Sequence, residues 1–149
     1  MHVLLAADAD WVINDVVAAL GDAETSFDVV RSGYDVTMAV GRRTPDLAVL
    51  DLQIGNMGGM AVCMTLRLDE SGGRLPHIRV LMLLDRVADL FLARRAGAEG
   101  WLIKPLDSLR LRRAATAIMA GGTFYEGLPA DAPAVPPAES PRGDEVPAG

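Results

Sequence analysis

Five times in the first 120 residues, a short apolar run gives way to a longer segment with helical spacing. The runs are Val3–Ala7, Phe27–Arg31, Leu47–Leu50, Ile78–Leu84 and Gly100–Ile103, the second being the weakest. Each is too short for a helix. Apart from the second they are continuous rather than alternating, as expected of strands covered on both faces. Apolar spacing predicts helices over Asp10–Leu20, Tyr34–Arg43, Gly59–Asp69, Arg86–Ala96 and Asp107–Ala120. Asp8 or Asp10 caps the first and Asp107 or Ser108 the last. Gly21, Thr44-Pro45 and Gly97 act as stops. Five such units imply an α/β fold, a five-stranded parallel doubly wound sheet with helices on both faces. Propensity leaves the strand order open.

Composition changes near Gly127. The stretch from there to Gly149 holds six of the nine prolines and almost no bulky apolar residue. It cannot bury enough surface to offset its ordering entropy, so residues 123–149 are expected to be a disordered tail and residues 1–122 one domain. The net charge of −6 gives no electrostatic footprint for nucleic acid or an anionic membrane. No apolar run approaches the roughly 20 residues of a membrane span, and Met1 leads almost directly into the first strand rather than a signal peptide. The single cysteine, Cys63, has no His or acid at motif spacing and reads as a packed core thiol in a reducing, cytoplasmic setting.

In an open parallel sheet, ligands bind beyond the carboxyl ends of the strands. Asp8 follows the first strand, Asp51 the third, Asp85 the fourth, and Lys104 the fifth. Taken singly, each acid could cap a loop and the lysine could form a rim salt bridge. Taken together, carboxylates and an ammonium on one rim suit a hard cation and a phosphate. The segment after Asp51 carries Gly55, Gly58 and Gly59, which permits close backbone approach there.

The "PDLAVLDL" strand with its glycine loop, and "ARRAGAEGWLIKP" ending on Lys104-Pro105, resemble a response-regulator receiver domain over about residues 1 to 122. The resemblance implies a flavodoxin-like (βα)5 fold with strand order 2-1-3-4-5. It implies that Asp51 accepts a phosphoryl group from the phosphohistidine of a histidine kinase or phosphotransfer protein. Asp8, Asp51 and the backbone carbonyl of Gln53 would hold Mg²⁺, and Lys104 would pair with a phosphoryl oxygen. Pro105 stands where the family often has a cis peptide.

Three positions depart from the family pattern. Ala7 replaces one of two adjacent acids that end the first strand. The missing acid holds Mg²⁺ through water, a contact of roughly 1.5–3 kcal/mol, so a weaker metal site is expected. Leu84, or Met82 in an ungapped count, replaces a Ser or Thr at the end of the fourth strand and donates no hydrogen bond. Trp101 replaces a smaller switch aromatic, or simply covers the last strand. Two readings follow: a working phosphorelay receiver, or a pseudo-receiver, an interaction module not regulated by phosphorylation.

A dehalogenase-type phosphatase would want an acid where the chain has Gln53, and a nucleotide-binding protein would want a P-loop or G-x-G-x-x-G after the first strand. At most, self-phosphorylation and dephosphorylation at Asp51 are expected. About 30 residues follow Ala120, too few and too acidic for a helix-turn-helix, so the expected target is another protein. The resemblance implies docking or homodimerisation through helix 4, strand 5 and helix 5. Arg94, Arg95, Arg110, Arg112 and Arg113 could meet acids on a partner there, or form a solvated face. Phe124 and Tyr125 either fold back on the domain or form a docking motif.

Overall fold

A computed structural model describes residues 1–127. All strands pair in parallel in one sheet ordered β2-β1-β3-β4-β5-β6. The strands are β1 (His2–Ala6), β2 (Ser26–Val30), β3 (Leu47–Asp51), β4 (Val80–Leu84), β5 (Gly100–Ile103) and β6 (Phe124–Tyr125). The helices are α1 (Asp10–Leu20), α2 (Gly33–Arg42), α3 (Gly59–Ser71), α4 (Leu90–Ala96) and α5 (Ser108–Met119). The first five strands follow the expected order 2-1-3-4-5.

The unbroken apolar runs have the expected cause. Strand side chains alternate between faces, and each face is buried. Val3, Leu5, Val49, Leu81, Leu83 and Leu102 pack beneath α1 and α5. Leu4, Leu50, Met82, Leu84 and Trp101 pack beneath α2, α3 and α4.

Three local expectations need correction. The cap of α1 is Ala9, with no side-chain bond, rather than Asp8 or Asp10. At α5, by contrast, Asp107, one of the two caps expected, does cap the helix by accepting from Arg110 N. The fourth helix does not start at Arg86; a 3₁₀ turn over Val87–Asp89 precedes α4, because Asp89 bonds back to the Arg86 N–H. The boundary at residue 122 falls too early, since residues 124–125 pair with β5 as a sixth strand. Phe124 and Tyr125 therefore fold back. The remainder of the expected tail lies outside the described residues. None of the described helices is long and apolar enough to cross a membrane.

Candidate functional site

Asp51 ends β3 and Lys104 immediately follows β5. Alternation sends both toward the α1 and α5 face, since Asp51 continues the phase of Val49 and Lys104 that of Leu102. They meet. Lys104 Nζ donates to Asp51 Oδ1 at 2.7 Å, and Gln53 N donates to the same oxygen at 3.1 Å. Asp51 is only 1% exposed, so this carboxylate sits beneath the loop surface with a charge partner at hand.

The lysine has a second anion. Nζ also donates to Asp85 Oδ1 at 3.1 Å, and it lies 5.6 Å from the centre of the Trp11 ring. Asp85 Oδ2 is buried and has no hydrogen-bond partner among the described residues. One ammonium thus serves two carboxylates.

Asp8 is exposed and joins the rim from the loop after β1. Its Oδ2 would lie 3.3 Å from a Cβ on Gly55, which brings its carboxylate against the loop that follows Asp51. No three His, Cys, Asp or Glu among the described residues converge as a metal cage. Asp8, Asp51 and the Gln53 carbonyl are nevertheless all hard oxygen donors. Such a set fits Mg²⁺, which keeps several waters and needs few protein ligands. Ala7 is fully buried beneath α1 and offers no side-chain oxygen.

Gly59 has a different role from the one its sequence position suggests. A Cβ there would stand 2.5 Å from the Asp51 carbonyl oxygen. This glycine lets α3 start against the end of β3, a contact of backbone with backbone rather than with a ligand.

Leu84, not Met82, is the last residue of β4, and Lys104 N donates to its carbonyl at 2.8 Å. Its side chain is fully buried. Met82 pairs in mid-strand with Trp101. Trp101 is fully buried as well; its Nε1 donates to the Glu126 carbonyl at 2.7 Å, and its ring stacks on Tyr125 with centroids 4.3 Å apart. The Lys104-Pro105 bond is cis.

Arg110 does not wait for a partner. Its guanidinium pairs with Glu126 and with Asp107, and the Glu126 carboxylate raises its pKa above the ordinary value. Cys63 is buried; burial pushes its thiol up to about 11, and its Sγ donates to the Ala96 carbonyl, as suits a core thiol.

Two features escaped the residue-by-residue reading. Glu126 lies one residue before the composition shift, inside the expected tail. Lys104 is the only lysine in a sequence with thirteen arginines, a signal that composition alone offered. An ammonium is kept where a guanidinium fork is used everywhere else.

Residues 3–116 match the family described as response regulator receiver domain. The DNA-binding transcriptional activator DevR/DosR of Mycobacterium tuberculosis is 31% identical over 137 residues, covering 89% of this chain and 60% of that protein. The DNA-binding dual master transcriptional regulator RpaA of Synechocystis sp. is 32% identical over 113 residues, covering 70% and 43%. This chain therefore spans about half the length of these relatives. A two-component response regulator of the LuxR family from Aurantimonas sp. superposes with a TM-score of 0.71 at 22% identity, covering 83% of this chain and 87% of that one. Since the match runs from β1 into α5 and takes in both Asp51 and Lys104, the chain belongs to the response regulator receiver domain family of two-component systems.

Proposed function

We propose that this chain is a phosphorelay receiver in which Asp51 takes a phosphoryl group from the phosphohistidine of a histidine kinase or phosphotransfer protein. The observation that carries the reading is the 2.7 Å contact between Lys104 Nζ and Asp51 Oδ1 at the ends of two strands. An Asp51 oxygen attacks phosphorus, the new O–P bond forms as the N–P bond breaks, and imidazole leaves with the electron pair. Oδ1 already accepts from Lys104 and Gln53, so Oδ2 is the attacking atom. Lys104 follows the charge as it moves onto the phosphoryl oxygens.

Mg²⁺, when bound, neutralises phosphoryl charge; Asp8, Asp51 and the Gln53 carbonyl would hold it, more weakly for want of an acid at Ala7. Leu84 has no hydroxyl to reach the phosphoryl group, so the readout runs through Lys104, β5 and Trp101. The net charge of −6 favours a protein target over nucleic acid, in the cytoplasm. The face for it, or for a second copy of the chain, is the one formed by α4, β5 and α5, its β5 edge now bordered by β6, and Phe91 and Leu92 are exposed there.

Incubation with a small acyl phosphate and Mg²⁺, followed by intact mass, tests the reading. One added phosphoryl is expected on the wild type and none on Asp51→Ala. No addition from either the acyl phosphate or a phosphorylated histidine phosphotransfer protein would leave the pseudo-receiver, an interaction module not regulated by phosphorylation.

A further inference from the structure

We propose that Arg110 and Glu126 are positioning residues for Lys104, which makes the segment after α5 a working part of the site. The inference rests on the acceptor reading of Asp51 and deepens it.

Lys104 leaves β5 where the strand ends and the chain turns at Pro105. Four hydrogen bonds hold that turn. Lys104 N donates to the Leu84 carbonyl at 2.8 Å. Ile103 N donates to Glu126 Oε1 at 2.9 Å. Arg110 donates to the Ile103 carbonyl at 2.8 Å and to the Pro105 carbonyl at 2.7 Å. Three of the four thus come from Arg110 and Glu126, which also pair with each other, Arg110 Nε donating to Glu126 Oε2 at 2.6 Å.

Glu126 is itself fixed by the returning strand. Its carbonyl accepts from Trp101 Nε1, and its N–H donates to the Trp101 carbonyl at 3.4 Å. Arg110 suits this place because its planar fork reaches two carbonyls and a carboxylate at once; a lysine could not. The stake is geometric. A lysine side chain has several rotatable bonds, and its ammonium must stay within reach of Asp51 while charge develops on phosphorus. A displacement of about 1 Å at such a group can cost about a hundredfold in rate.

The lone lysine makes the idea directly measurable in the full chain. The rate of Lys104 acetylation by an amine-reactive acetylating reagent is read by peptide mass, beside phosphoryl uptake at Asp51 from an acyl phosphate with Mg²⁺. For Glu126→Ala and Glu126→Gln, acetylation is expected to rise roughly fivefold, since the ammonium spends more time away from its carboxylates, and phosphoryl uptake to fall roughly tenfold. Arg110→Gln, which adds no second amine, should move both in the same directions. Val40→Ala, on the buried face of α2, loses stability without touching the turn and should leave acetylation at the wild-type rate. If Glu126→Ala does not fold, Glu126→Gln keeps the shape and decides. Wild-type acetylation rates in the folded Glu126 variants would overturn the proposal. Failure of the wild type itself to take phosphate would instead sink the acceptor reading, and the acetylation arm would still decide the positioning role.

Discussion

Lys104 Nζ stands 2.7 Å from Asp51 Oδ1 while Asp85 Oδ1 holds the same ammonium at 3.1 Å, so acceptor and cation are joined by a competitor. Asp85 draws on the charge that a phosphoryl group on Asp51 would need, and adds a negative charge beside it. Asp85→Asn should therefore raise the rate of phosphoryl uptake from an anionic donor severalfold, with a smaller gain at high salt. Time courses by intact mass at low and high ionic strength check this. Slower uptake in Asp85→Asn would show that Asp85 helps the lysine rather than competing for it.

The metal site should respond to position 7. Ala7→Asp restores a third carboxylate next to Asp8, and isothermal titration should find Mg²⁺ bound about tenfold more tightly than by the wild type. Ala7 is fully buried, so the same variant should melt at a lower temperature without metal and recover part of the loss with it.

Two glycines should respond to alanine in opposite ways. A Cβ at Gly59 meets the Asp51 carbonyl oxygen at 2.5 Å, and backbone cannot yield cheaply, so Gly59→Ala should cost about 2 kcal/mol or more. A Cβ at Gly41, inside α2, meets nothing within 4 Å, so Gly41→Ala should add about 0.5–1 kcal/mol. Urea unfolding of the two variants measures both.

Alkaline pH should expose Cys63. Its folded pKa is raised by burial to about 11, from an ordinary value of 9.0. The resulting stabilisation is complete below pH 9 and fades as pH rises toward 11, because the unfolded thiol ionises first. The gap corresponds to about 2–3 kcal/mol. Denaturation curves from pH 8 to 11 should fall more steeply for the wild type than for Cys63→Ala; parallel curves would contradict the burial account.

The parallel sheet and the Asp51–Lys104 meeting were legible because they rest on strong signals, while the strand order came only with the family resemblance. Continuous apolar strands require two covered faces, and "PDLAVLDL" and "WLIKP" mark strand ends by charge. Asp85 was visible as a strand-end acid, but its hold on Lys104 depends on how the 3₁₀ turn over Val87–Asp89 shapes the loop, which periodicity does not report. β6 was not legible. Two residues carry no alternation, and Phe124-Tyr125 sits between a glycine pair and a proline-rich stretch that reads as linker. Arg110 looked like part of a basic face because helical spacing shows which residues share a surface but not which distant acid comes to it.

The outermost strand also bears on how this protein keeps to itself. β6 covers the Gly100–Ile103 rim with only two residues, and very short borders are poor templates for runaway strand addition between molecules. A truncation made at residue 122, where composition invites it, would strip that guard and bare the amides of "GWLI". Such a fragment should clump at concentrations where the longer chain stays dispersed, and its misbehaviour would be easily mistaken for a fault of signalling.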